Sequence, residues 1–132
     1  MTLIALDYGE KNIGMAMSGG GLAAPVETIS SIDEVVRFIK LNHVQKAVVG
    51  LPLNAEGKEG FQAKKAREFG ERLQKRSKVE VVYWNETLST KEAARMLMNQ
   101  GASRKKVDSK LDAVAAAVIL QDYLDNREEN DE

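Results

Sequence analysis

Apolar positions along the chain alternate between two rhythms. Leu3-Ile4-Ala5-Leu6 is a continuous apolar run, as expected of a strand buried on both faces. It ends in Asp7-Tyr8-Gly9, where glycine permits a tight turn. Ile13, Met15 and Met17 then alternate with Gly14, Ala16 and Ser18, a period of two that predicts a second strand. Gly19-Gly20-Gly21 breaks it, and a third strand is expected from Leu22 to Ile29, with Pro25 placing it at a sheet edge. Short connections make these three an antiparallel meander.

Ser31-Ile32-Asp33-Glu34 has the form of a capping box, and Ile32, Val35, Val36 and Ile39 follow at helical spacing. Lys46 to Leu51 is another buried-strand run, stopped by Pro52, and Asn54 to Gly60 reads as a loop. Ala63, Ala66, Phe69 and Leu73 mark one face of a second helix whose other faces are rich in bases. Val79 to Trp84 predicts a fifth strand. Ser89-Thr90-Lys91-Glu92 is a second capping box, opening a helix that Gly101 ends. A last helix is expected from near Asp108, with Leu111, Ala115 and Val118 on one face. The order βββ-α-β-α-β-α-α predicts an α/β fold: a five-stranded mixed sheet, order 3-2-1-4-5, flanked by helices on both faces.

At 132 residues the expectation is one domain over residues 1–124, followed by an acidic, flexible tail over 125–132. The absence of cysteine excludes disulfides and thiolate metal sites. No apolar run approaches the ~20 residues that span a bilayer, and the N-terminus lacks a secretory pattern, so a cytoplasmic setting is expected. Net charge is -1, but the last eight residues carry five acids and one base, which leaves the preceding 124 at +3. The body therefore permits a phosphate-bearing partner.

Open α/β sheets bind ligands beyond the carboxyl ends of their parallel strands. Asp7, Leu51-Pro52-Leu53-Asn54 and Asn85-Glu86 fall at such ends. Asp112 is expected one turn inside the last helix, and its small neighbours Ala113, Ala115, Ala116 and Ala117 allow that helix to approach the sheet. Converging carboxylates call for a cation, and an all-oxygen site favours Mg²⁺ or Mn²⁺. The matching chemistry is phosphodiester hydrolysis. Strand order poses a difficulty: Glu86 would start two strand spacings from Asp7, roughly 10 Å, and would have to curl back. Lys11 and Asn54 are candidate substrate contacts, although an Asx-turn would also explain Asn54. Arg104, Lys105, Lys106 and Lys110 are a candidate phosphate-tracking patch. His43 is read as serving the end of the first helix, and Tyr83 and Trp84 as strand packing.

Four segments carry a family resemblance. Residues 5–18, from Ala5-Leu6-Asp7-Tyr8-Gly9 to Ser18, resemble the first motif of the YqgF (RuvX-like) family. Val48-Val49-Gly50-Leu51-Pro52-Leu53-Asn54 resembles its second, Asn85 to Ala93 its third, and Lys110-Leu111-Asp112 through Leu124 its fourth. The resemblance implies a ribonuclease H-like fold, with Asp7, Glu86 and Asp112 as catalytic and metal-binding acids. Asp108 rivals Asp112, but the motif spacing favours Asp112 and leaves Asp108 as the helix N-cap. The implied function is a metal-dependent endonuclease on structured RNA, processing the 5′ end of pre-16S ribosomal RNA. Alternatives are a resolvase of branched DNA (Holliday junctions) and a non-catalytic ribosome-assembly factor. An actin-like nucleotide-binding lobe is opposed by the short chain. A monomer or weak homodimer is expected, with no membrane association. Two departures stand out: Glu10 where the family usually has Thr, and Asn85-Glu86-Thr87 where it usually has Asp-Glu-Arg.

Overall fold

The computed structural model describes residues 1–86 and 104–127, with 104–110 described through their helical backbone. Five strands, β1 (Leu3–Tyr8), β2 (Ile13–Ser18), β3 (Ala24–Ile29), β4 (Lys46–Pro52) and β5 (Glu80–Glu86), form one sheet in the order β3-β2-β1-β4-β5. The first three pair antiparallel, and β1, β4 and β5 run parallel. The described helices are α1 (Ile32–Asn42), α2 (Phe61–Ser77) and α3 (Arg104–Asn126). Ser31 caps α1 as its sequence predicts, its Oγ accepting from the Glu34 N–H at 3.4 Å. His43 closes the same helix in the left-handed conformation, at φ 52°.

The two faces of the sheet are packed differently. Ile4, Leu6, Met15, Val49 and Leu51 point to the side covered by α1 and α2, where Val35, Ile39, Phe69 and Leu73 complete the larger core. Leu3, Ala5, Ala16 and Val48 point to the other side, covered by α3 through Ala116, Ile119, Leu120 and Tyr123. Each fully buried large side chain contributes about 1.5–3 kcal/mol. Because neighbours along a strand alternate faces, Asp7 follows Leu3 and Ala5 onto the α3 side, as Glu86 follows Val82 and Trp84.

Four boundaries differ from the sequence pattern. The third strand begins at Ala24, not Leu22: Met17 opposite Ala24 is the last rung of its ladder, so Leu22 has no strand facing it and is 83% exposed. The fifth strand extends through Glu86, because β4 continues to Pro52 and pairs with it. The last helix begins at Arg104, since nothing between Arg104 and Asp108 breaks a helix. Asp108 thus lies a turn inside rather than at the N-cap, and Asp112 two turns inside. The helix also continues to Asn126, two residues into the segment expected as the tail. The Ser89–Glu92 capping box, its helix, the Gly101 stop and Thr87 lie outside the described residues.

Candidate active site

Asp7 is the penultimate residue of β1, the central strand of the sheet, and is 6% exposed. Its antiparallel partner is Gly14. This glycine decides how close α3 comes: a Cβ there would collide with the backbone carbonyl of Asp112. The helix backbone therefore rests directly on β2, beside the rung that holds Asp7. Asp7 and Asp112 consequently line one open pocket of about 210 Å³, together with Tyr8, Gly9, Lys11 and Asn12. The loop that carries Lys11 is closed by the Gly9 N–H donating to the Asn12 carbonyl at 3.0 Å.

Glu86 is 5% exposed and is fixed by the sheet rather than by a loop. Its carbonyl accepts from the Leu53 N–H at 3.2 Å. Gly50 makes room for its side chain: a Cβ there would meet Glu86 Oε2 at 3.2 Å and Ile119 Cδ1 at 2.8 Å. Glu86 does not line the Asp7–Asp112 pocket. Among the described residues, no three of His, Cys, Asp and Glu are grouped so as to hold one metal ion. Both buried acids make other interactions; Asp7 Oδ2 and Glu86 Oε1 are themselves buried and accept no hydrogen bond from the described residues. The structure thus brings together Asp7, Asp112 and Lys11, and places Glu86 on the same sheet face two strands away.

Asn54 is occupied in building its own loop. Its Oδ1 accepts from the N–H groups of Glu56 and Lys58, both at 3.0 Å. That loop is clamped to α2 by Arg67, which donates from Nε and a terminal nitrogen to the two oxygens of Glu59 at 2.6 and 2.8 Å. The Arg67 hydrogen bonds hold the Glu59 carboxyl below its ordinary range. Tyr83 donates to the Arg67 carbonyl at 3.2 Å, and burial pushes its phenol pKa up. Trp84 donates to Asp122 Oδ2 at 2.6 Å and meets Tyr123 edge-on, so both aromatics of β5 serve packing. The side chains of Arg104, Lys105, Lys106 and Lys110 lie outside the described residues.

The family model for RuvX, described as Holliday junction resolvase, matches residues 1–126. The chain belongs to the RuvX family. A relative from Chloroflexus aurantiacus, provisionally named pre-16S rRNA nuclease, is 38% identical over 97% of this chain and 89% of its own. One from Bacillus mycoides, with the same provisional name, is 39% identical over 96% of this chain and its own full length. Thermus thermophilus RuvC, solved in complex with a Holliday junction substrate, superposes with a TM-score of 0.57 at 13% identity, covering 93% of this chain and 94% of its own. That similarity shows the shared ribonuclease H-like fold.

Within this RuvX family member the departure at Glu10 has a definite place. Glu10 does not line the pocket. It is exposed and faces Lys65 of α2 at 3.9 Å. Sequence reasoning passed over the two glycines that set the clearance around the acids. The available signal was an isolated glycine inside each strand pattern, which marks close approach of another chain segment.

Proposed function

We propose that this RuvX family member is a metal-dependent endonuclease that hydrolyses phosphodiester bonds in structured RNA, at the 5′ end of pre-16S ribosomal RNA in the cytoplasm. The observation that carries the reading is the shared pocket: two carboxylates, Asp7 and Asp112, face one opening with Lys11 on its wall. The donor set suits Mg²⁺ or Mn²⁺, which bind through one or two carboxylates and complete their shell with water and substrate phosphate. Asp7 and Asp112 would hold the ion. When bound, it would supply charge neutralisation at the phosphate and a more acidic water.

The chain's own residues do the rest. Gly14 and the α3 backbone fix the spacing of the two acids before substrate arrives, so little reorganisation is needed. Lys11 is exposed and binds the incoming phosphate as a point charge. Glu86, held on the same face by pairing with β4, accepts a proton or orients a water farther along the site.

A second reading, cleavage of branched DNA, is favoured by the family description and the fold shared with RuvC. A resolvase cuts two symmetric strands and works as a dimer. One experiment separates these readings: a pre-16S ribosomal RNA fragment and a four-way DNA junction are offered side by side, with Mg²⁺, with Mn²⁺ and with chelator. RNA cleavage lost in chelator is expected. Junction cleavage alone would replace the substrate, and no cleavage of either would leave a non-catalytic assembly factor.

A further inference from the structure

We propose that α2 carries a phosphate track, formed by Lys65, Arg72 and Lys75, that grips the nucleic-acid backbone flanking the cut. The proposal rests on the nuclease reading only for the identity of the ligand. α2 carries six bases: Lys64 is exposed and lies outside the depression, and the other five divide into two groups. Arg67 is bound bidentately to Glu59, and Arg76 is paired with Asp33 of α1, so both are committed to holding the fold. Lys65 has a long contact to exposed Glu10 at 3.9 Å and lies over the Phe61 ring at 5.1 Å, and neither is a close ion pair. Arg72 and Lys75 make no ion pair within 4.0 Å among the described residues and are exposed.

These three uncommitted bases share one helix face, at spacings of seven and three. They line an open depression of about 540 Å³ together with Tyr8, Glu68 and Glu71. Tyr8 also lines the Asp7–Asp112 pocket, so the two openings share this residue at the end of β1. The Tyr8 ring itself stacks on Phe69 of α2, with centroids 4.7 Å apart. Lys65 lies toward the strand-end side of α2 and Lys75 ten residues farther, about 15 Å along the axis. That length spans several phosphates of one strand. Glu68 and Glu71 lower the net charge of the depression to +1. The grip is therefore weak and reversible, which suits an enzyme that must release its product.

The test uses the full chain and a fluorescent RNA hairpin with a single-stranded 5′ extension, measured by anisotropy in chelator across a salt series. Three variants are compared. Lys65→Gln/Arg72→Gln/Lys75→Gln should weaken binding about tenfold or more and make the log–log salt slope shallower by about two. Glu68→Gln/Glu71→Gln should tighten it. Arg67→Gln/Arg76→Gln, which removes the structural bases, should lower the melting temperature and leave affinity nearly unchanged. In cleavage assays the triple variant should raise KM and spare kcat. Unchanged affinity and slope in the triple variant, or an equal loss in the Arg67/Arg76 control, would overturn the track. No cleavage by the unsubstituted chain, with a salt slope that still depends on the three bases, would sink the nuclease reading and leave the track standing.

Discussion

The α3 side of the sheet buries charge at both ends, and the two ends handle it in opposite ways. At the amino end of β4, Lys46 is 8% exposed and donates to the Tyr123 hydroxyl at 3.1 Å, with Glu80 at 3.8 Å. Tyr123 in turn packs against Trp84, which is tied to Asp122. A cation there meets a hydroxyl, an aromatic face and an acid. At the carboxyl end of β1, Asp7 is as deeply buried, but it shares its pocket with a second acid, Asp112, and with exposed Lys11 on the wall. Charge of opposite sign at the first end closes the structure. At the second end two carboxylates share one opening, an arrangement that favours a bound cation. Burial alone does not separate a structural ionisable group from a functional one; the sign of what faces it does.

Four substitutions would break or sharpen this contrast. Asp7→Asn should have the largest effect on chemistry: cleavage falls at least about a hundredfold, the equivalent of several kcal/mol of lost charge stabilisation. The variant should still fold, with cooperative melting, so that the loss lies in the chemistry. Wild-type cleavage by this variant would remove Asp7 from the site. Gly14→Ala comes next, since its new methyl group collides with the α3 backbone. A loss of about 1–3 kcal/mol is expected from denaturant titration, together with a fall in kcat as α3 shifts. A variant that lost neither stability nor activity would show that α3 can move freely.

Lys46→Met tests the other end. Removing the donor to Tyr123 should cost about 1–2 kcal/mol in chemical denaturation and leave kcat where it was. A drop in kcat would tie the two ends together and erase the contrast. Glu59→Gln should be the smallest effect, visible mainly through pH. The Glu59 carboxyl lies below its ordinary 4.5 in the folded chain, so its contribution is present above that value and is lost as pH falls through the lowered one. Melting curves of the two proteins should differ at neutral pH and converge in acid; convergence on the alkaline side would refute the sign.

What the chain discloses in advance depends on how each element is stabilised. β1 and β4 are legible because burial on both faces leaves continuous apolar letters. Asp7 is legible for the same reason, as an acid interrupting such a run. The start of α3 is not, because Arg104-Lys105-Lys106 is polar and shows no period, although it is compatible with a helix. Glu86 reads as a loop residue because Asn85-Glu86 lacks strand-forming letters; its strand is imposed by the backbone of β4 through Pro52. The alanines of α3 correctly suggest close packing on the sheet. The point of closest approach is hidden, because Gly14 within a period-two strand looks like one more small residue beside Ala16.

That glycine sets a limit on how this protein can change. A void shaped by a large side chain can be retuned by exchanging it for another of different size. The interval between β2 and α3 is set by an atom that is not there. The genetic code offers nothing smaller than glycine and steps directly to a methyl group. The separation of Asp7 and Asp112 therefore has no fine adjustment at this position: a lineage that altered it would have to relocate a 23-residue helix in one step.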